Sequence, residues 1–417
     1  MFSRLIALLF VSTFYISTVV GRSDTLSTVS FTDNTEVALF DSLMLEQYFA
    51  MEALFAEGDY EFSGKVPEFD ESIFERRMAY IDSKTPLKLD YNSQVKRYID
   101  VYTKERRKQM SRMLGMSKYY FPIVEPILDK HGLPQELKYL MIVESALNSR
   151  ARSRVGAAGL WQFMYSTGKG YGLMVSSYVD ERNDPIKATE AACIMLKKYY
   201  NIYNDWSLAL AAYNCGRGNV NKAIRRSGGK KNFWEIRRYL PRETRSYVPA
   251  FMAVNYAMNY YVEHEIAPNT PRLYGFEVDT IEVKSRMNFD YISNLLDISV
   301  EELEFLNPSY KLNVIPYVKD RHYVLCLPLD KMGVFLANEK EVYAYLKAEE
   351  EKNKIVYPEY TEMDERIVHK VKSGDYLGKI ARKYRVRVKD IKEWNGLKSD
   401  RIKTGQRLVL YVRPDRV

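Results

Sequence analysis

Side chains with ready-made chemistry are scarce in this chain. Its 417 residues include three cysteines (Cys193, Cys215, Cys326) and four histidines (His131, His264, His322, His369). The cysteines are odd in number and widely spaced, so no disulfide framework is implied. The histidines are scattered and neither an HExxH nor a paired-Cys spacing occurs, so no metal and no cofactor is expected. No G-x-S-x-G elbow is present, which leaves a serine hydrolase unsupported. The one long apolar run, 5–20, falls a little short of the roughly 20 residues that span a bilayer. It follows a lone cation, Arg4, and precedes Gly21, so residues 1–21 read as a secretory signal, with an uncleaved anchor as the alternative. No Cys precedes Cys193, which excludes a lipid-modified N-terminal Cys.

What remains is an ordinary globular composition, 46% hydrophobic and 28% charged, enriched in Tyr, whose 34 copies suit stacking and hydrogen-bonding surfaces. A formal net charge of +8 raises nucleic acid as a partner, but segment 367–412 alone holds 13 Lys and Arg against 4 Asp and Glu. The basicity belongs to one C-terminal module. An anionic envelope polymer is the expected contact and nucleic acid is not.

At about 150 residues per domain there is room for two or three cores. Residues 22–85 read as a mixed, acidic extension of unreadable role. From 92 to 115 apolar residues recur at Val95, Tyr98, Ile99, Tyr102, Met110, Met113 and Leu114 against a face of Lys and Arg, the pattern of an amphipathic helix. Further helices run to about 265 with little strand alternation, so 86–265 is expected to be a mainly α domain. Breaker-rich "APNTP" marks a linker, 266–278. Beyond it the order strand, helix, helix, strand occurs twice, which predicts small α+β (βααβ) modules at 279–330 and 366–413, a diverged repeat separated by a charged linker, 331–365.

Pro134 suits the first position of a helix in which Leu137, Leu140, Met141, Glu144, Leu147 and Asn148 share one face. Glu144 is thereby aimed at an apolar stripe. Taking a carboxylate out of water favours its neutral form, raising its pKa until it can donate a proton near neutral pH. Taken alone, such a Glu is more simply a partner for Arg150, Arg152 or Arg154. Its neighbours decide otherwise. Glu144-Ser145 is followed by "GLWQFM" at 159–164, "NDWSLALAAYNCG" at 204–216 and "ETRSYVP" at 243–249. With these blocks in this order, residues 90–262 resemble the soluble-lytic-transglycosylase-like (SLT) domain of peptidoglycan lytic transglycosylases, a relative of goose-type lysozyme, and are most similar to its membrane-bound type D branch.

The resemblance implies a mainly α, lysozyme-like catalytic domain in which Glu144 is the single acid. It would protonate the glycosidic oxygen between N-acetylmuramic acid and N-acetylglucosamine and then act as base. Other glycosidases use a second carboxylate. These motifs are read as holding none; Asp180, Glu181 and Asp184 come closest in sequence, but "DERNDP" at 180–185 reads as turn and cap, with Asp184 capping a helix that starts at Pro185. In the family the muramic acid 6-hydroxyl takes the second role, leaving a 1,6-anhydro end. By match, Ser145, Gln162, Met164, Tyr213 and Asn214 would bind substrate, and Tyr247 would sit near the acid. Ser145 could equally bond back to its own helix. Trp161 and Phe163 read as core or groove wall.

Residues 369–412 resemble LysM modules, which bind N-acetylglucosamine-containing glycans. The resemblance places glycan contacts at Gly374, Asp375, Tyr376 and Leu377 after the first strand, and at Ile402, Lys403 and Thr404 before the last. The unit at 279–330 looks like a degenerate LysM, a spacer by this reading. Peptidoglycan strands are then the expected partner, with peripheral membrane or envelope association possible and the periplasm or cell envelope of a bacterium as location. Two alternatives stand: a hydrolytic muramidase on the same fold, and a non-catalytic LysM wall-binding scaffold.

Overall fold

The computed structural model describes residues 66–269, 277–355, 357, 358, 360, 365–384, 386–395, 397 and 399–412. The expected signal and the extension as far as residue 65 lie outside the described residues. The rest of the extension belongs to the helical domain: α1 (Glu71–Asp82) buries Phe74 and Met78, and Arg77 donates from Nη1 to the Tyr256 hydroxyl at 3.0 Å.

The amphipathic stretch from residue 92 forms two helices rather than one. Asn92 caps α2 (Ser93–Asp100), its side chain accepting from the backbone N–H groups of Gln94 and Val95. A π turn at Val101–Glu105 and a kink at Arg106 precede α3 (Arg107–Lys130). The reason is tertiary. The buried Arg107 guanidinium takes the carbonyls of Thr103 at 3.0 Å and His264 at 2.7 Å, giving groups freed at the break a charged donor.

The helix expected from Pro134 is a 3-10 turn, Gln135–Tyr139, that leads into a six-residue α4 (Leu140–Ser145). Ala146 and Leu147 then enter left-handed backbone, at φ 50° and 64°. Leu137, Leu140, Met141 and Leu147 are buried as their spacing predicts. Next come α5 (Tyr165–Gly170), α6 (Pro185–Tyr203), α7 (Trp206–Cys215), α8 (Arg217–Arg226), α9 (Phe233–Ile236) and α10 (Arg242–Tyr260). Asp184 caps α6 as expected, accepting from Ile186 and Lys187.

The core is built around α7, where every residue from Trp206 to Tyr213 is buried, so this helix is enclosed rather than amphipathic. Ala209, Ala211 and Ala212 keep its girth small, and α6, α8 and α10 pack against it. No helix of the described residues is long and apolar enough to cross a membrane.

Beyond the helical domain, β1 (Val278–Glu282) pairs antiparallel with β4 (Val324–Pro328), and the short strands β2 (Met287–Asn288) and β3 (Val314–Ile315) pair with each other. Between them lie α11 (Phe289–Leu296) and α12 (Val300–Leu306). Two expectations fail here. The segment 331–365 is not a charged linker throughout, because α13 (Leu329–Ala337) and α14 (Glu339–Asn353) fill its first part and bury Met332, Phe335, Val342 and Leu346. Nor is the unit a spacer, because it is bonded to the helical domain. The Asp180 N–H donates to the Ser309 carbonyl and the Lys311 N–H to the Tyr178 carbonyl, both at 2.8 Å, and the rings of Tyr119 and Phe305 lie 4.7 Å apart.

The last unit, β5 (Glu365–Lys370), α15 (Leu377–Tyr384), α16 (Val388–Trp394) and β6 (Arg407–Val412), has the expected strand and helix order. It closes a small core of its own around Val371, Leu377, Ile380, Ile391, Leu408 and Leu410.

At the junction Asp180 is fully buried and holds the Arg182 guanidinium, Nε to Oδ1 at 2.9 Å and Nη2 to Oδ2 at 2.8 Å, while Arg152 also reaches Oδ2 at 2.8 Å. Burial alone pushes this carboxyl up, but the Arg182 bond and the charges of Arg182, Arg152 and Lys311 outweigh it and hold the group below its ordinary range. Removing one partner from a buried pair typically costs about 3–5 kcal/mol. Asp180→Ala is expected to lose stability of that order in urea unfolding and to release residues 277–353 to protease at lower denaturant than in the parent chain. Unchanged unfolding and protection contradict this.

Candidate active site

Glu144 occupies the last turn of α4, immediately before the left-handed exit at Ala146. It is partly buried, keeping an opening to solvent, whereas its neighbours Val143 and Ser145 are buried. The short helix thus stops where its acid reaches a cleft. Burial pushes the Glu144 carboxyl up to about 8; the Tyr247 hydroxyl bonded to it pulls in the opposite direction, and the charge of Glu243 adds to the rise. Tyr247, on α10, donates its hydroxyl to Glu144 Oε1. No cation offsets the effect of burial at this carboxyl, so the pairing with Arg150, Arg152 or Arg154 is not made: Arg150 reaches Glu304 and Arg152 reaches Asp180.

Around the acid, α7 supplies Tyr213 and Asn214. Tyr213 is buried and donates to the Trp161 carbonyl at 2.8 Å; burial first, then the nearby Glu144 charge, holds its hydroxyl well above its ordinary range. Asn214 accepts from the Thr244 hydroxyl at 2.7 Å and offers its amide to Glu243 at 3.5 Å. The structure therefore brings Glu144, Tyr213, Asn214 and Tyr247 together from three helices. Glu243 joins them, and it is the carboxylate that sequence reasoning passed over although it opens the fourth block. The available signal was its spacing four residues before Tyr247, one turn along the same helix.

The "GLWQFM" turn forms the adjoining wall. Gly159 takes φ 83°, and a Cβ placed there would lie 1.7 Å from the Arg182 carbonyl oxygen, so only glycine fits. Arg182 holds the turn from below, donating from Nη1 to the carbonyls of Gly156 at 2.9 Å and Phe163 at 3.1 Å. Gln162, at φ 46°, spends its amide N–H groups on the carbonyls of Gly159 at 2.9 Å and Ala151 at 3.2 Å. Its side-chain oxygen accepts no bond among the described residues and stays available to a ligand. Met164 is exposed at the start of α5. Trp161 is core, bonded from Nε1 to Thr189 at 2.8 Å.

Ser145 does not belong to this surface. It is fully buried and its hydroxyl is committed to the carbonyls of Met141 at 2.9 Å and Leu160 at 3.0 Å, the helix-back bond that its residue type allows. It ties α4 to the turn instead. In the C-terminal unit, Gly374 takes φ 80°, and Tyr376, Lys403 and Thr404 are exposed. Asp375 is a pin, accepting from the Lys372 N–H and from His369, both at 2.9 Å; these bonds hold it at about 2. Leu377 is core and Ile402 packs against that core. Bonds between Val371 and Gly405–Gln406 bring the two loops side by side.

Three family models match the chain. The Transglycosylase SLT domain matches residues 122–236, which contain Glu144, Gln162, Tyr213 and Asn214. The chain carries a transglycosylase SLT domain. Its SLT domain is followed by matches to the Lytic transglycosylase MltD, LysM-like domain at 277–344 and to the LysM domain at 369–410. Membrane-bound lytic murein transglycosylase D of Escherichia coli strain K12 is 29% identical over 347 residues, covering 80% of this chain and 72% of that protein. A solved structure of an inactive mutant of the lytic transglycosylase Slt from Pseudomonas aeruginosa matches 58% of this chain and 45% of its own at 19% identity, with a TM-score of 0.31 that bears no weight. Residues 331–344, read from sequence as linker, thus fall inside a matched domain.

The two groups that act on Glu144 have opposite signs. Tyr247→Phe removes a donor that favours the carboxylate, so the pKa of Glu144 rises and the alkaline limb of a rate profile moves to higher pH. Glu243→Gln removes a like charge, so that limb moves to lower pH. Steady-state turnover of peptidoglycan between pH 5 and 10, as an order-of-magnitude window about a raised carboxyl, checks both shifts. Movement of the two limbs in the same direction would contradict the assignment.

Proposed function

We propose that the protein is a lytic transglycosylase that cleaves the β-1,4 bond between N-acetylmuramic acid and N-acetylglucosamine of peptidoglycan without consuming water. The observation that carries this reading is a carboxyl with its pKa raised to about 8, standing at a partly open position beside Tyr247 and carrying no paired cation. A group so placed is mostly protonated at neutral pH and serves as general acid. Glu144 gives its proton to the glycosidic oxygen, and the N-acetylglucosamine 4-hydroxyl leaves. The muramic acid 6-hydroxyl then attacks C1 of its own ring while Glu144, now a carboxylate, takes the hydroxyl proton. A 1,6-anhydro end forms and the acid is regenerated. Because nucleophile and electrophile sit in one ring, little orientational entropy is lost on the way to the transition state.

Tyr247 holds the ionised form between the two steps, and Tyr213 with Asn214 forms the polar floor. The Gln162 side-chain oxygen and Met164 suit the acetamido groups of a strand lying across the "GLWQFM" turn. The LysM unit at 366–413 adds a basic surface for the polymer, its glycan contacts falling to Gly374, Tyr376, Lys403 and Thr404. The location that fits this chemistry is the periplasm or cell envelope, reached through the signal at 1–21. Glu243 favours a second reading, in which it activates water and the enzyme is a hydrolytic muramidase. Its exposure and its bond to Asn214 make it the weaker one.

The purified chain, incubated with sacculi, is expected to release muropeptides with 1,6-anhydro ends, read by mass spectrometry. Glu144→Gln should reduce release at least about 100-fold, the usual scale for a lost general acid, while Glu243→Gln keeps the anhydro product. Reducing ends in place of anhydro ends establish the muramidase, and no release by the parent chain establishes the scaffold.

A further inference from the structure

The LysM-like unit and the C-terminal LysM unit are closed by the same bond. The Val283 N–H, just past β1, donates to the carbonyl of Tyr323, just before β4, at 2.9 Å. The Val371 N–H, just past β5, donates to the carbonyl of Gln406, just before β6, at 2.8 Å. Counted from these bonds the two units fall into register: Arg286 stands where Gly374 stands, Asn288 where Tyr376 stands and Arg321 where Thr404 stands. Gly374, Tyr376 and Thr404 are the positions to which glycan contacts fall in the C-terminal unit.

In the LysM-like unit the matching positions already have an occupant, and it is the chain itself. The Tyr357 ring lies 4.4 Å from the Arg286 guanidinium carbon, and its hydroxyl accepts from the Asn288 side-chain amide at 3.5 Å. The Tyr360 ring lies 5.8 Å from the Arg321 guanidinium carbon, and its hydroxyl accepts from the Tyr323 hydroxyl at 3.1 Å. Two aromatic rings, each met by a cation and bonded at the hydroxyl, thus rest on the two loops.

The same segment reaches the helical domain. Tyr178 donates its hydroxyl to the Pro358 carbonyl, and its ring lies within 9° of parallel to that of Tyr360, centroids 6.4 Å apart. The Tyr360 hydroxyl also donates to Met174 Sδ at 3.6 Å. Only 361–364 separate Tyr360 from β5, and five residue steps span at most about 18 Å. β5 lies against α5, the helix that begins directly after Met164 of the adjoining wall.

We propose that the LysM-like unit holds Tyr357 and Tyr360 of its own chain where its C-terminal counterpart contacts glycan, and that this clasp onto Tyr178 seats the C-terminal LysM unit against α5. The LysM-like unit then takes no sugar of its own. The C-terminal unit and the catalytic domain act as one body on a single glycan strand, which raises the effective concentration of that strand at the cleft without a new sugar contact. This consequence rests on the transglycosylase reading; the clasp itself does not.

The test compares the full chain with Tyr178→Phe, which removes one hydroxyl, and Tyr360→Ala, which removes a partly buried ring outside the helical domain. In ¹⁵N relaxation, residues 366–412 should tumble with the whole chain in the parent, faster in Tyr178→Phe and fastest in Tyr360→Ala. N-acetylated chitotetraose, added to the parent, should shift the NMR signals of Gly374 and Thr404 and leave those of Arg286 and Arg321 in place. Independent tumbling of 366–412 in the parent, unchanged tumbling in both variants, or shifts at Arg286 and Arg321 overturns the inference. KM on long glycan strands should rise about tenfold in Tyr360→Ala, a modest loss because the remaining short linker keeps the two sites near each other, with KM on a tetrasaccharide unchanged. An equal change on both substrates, or none on either, overturns the shared-strand consequence. A parent chain that cleaves neither substrate overturns the transglycosylase reading instead, and the tumbling and shift results still decide the clasp.

Discussion

A carboxyl largely withdrawn from water, with one hydroxyl as its protein donor, is the constraint around which the helical domain is arranged. Ionising Glu144 inside the protein is unfavourable, and a stable fold tolerates that only where the surrounding core over-determines the position. The enclosed α7, the Tyr247 bond from α10 and the Ser145 bonds that tie α4 to the "GLWQFM" turn supply that determination. Each of these elements is otherwise unexceptional. Together they hold an acid in the protonated form at the pH where a glycosidic oxygen needs a proton.

Much of this was legible in the residues. The burial of Leu137, Leu140, Met141 and Leu147 follows from spacing, and Glu144 falls on that stripe. Tyr213, Asn214 and Tyr247 came through the resemblance of whole blocks, since a lone Tyr or Asn carries no comparable signal. What could not be read was where the helix ends. Ala146 and Leu147 adopt left-handed backbone without the glycine or asparagine that usually announces it, so the sequence continues to look helical past Ser145. Ser145 illustrates the complementary failure. Its position in a matched block suggests contact with sugar, and only the three-dimensional neighbourhood shows its hydroxyl consumed by two carbonyls.

The junction between the helical domain and the LysM-like unit was invisible for a different reason. Asp180 and Lys311 act through contacts that span well over a hundred positions of chain, and "DERNDP" reads locally as an ordinary turn. Desolvation lowers the Lys311 ammonium to about 8 against the pull of Asp180, a condition that no local pattern encodes. The helix at 339–353 was hidden by composition. Few apolar residues, Val342 and Leu346 among them, are buried there amid a strongly charged segment, and four-residue spacing within such a segment also fits a solvated linker. The consequence is functional geometry: the segment 174–183 that meets this unit also supplies the Arg182 clamp beneath the turn beside Glu144.

Site-specific titration of Glu144 tests the central claim most directly. With a ¹³C-labelled side-chain carboxyl followed by NMR across the pH range in the full chain, the account predicts a midpoint near 8, as burial outweighing the Tyr247 bond requires. A midpoint at or below about 5, the range of a solvated glutamate, in protein that still cleaves glycan strands would contradict it.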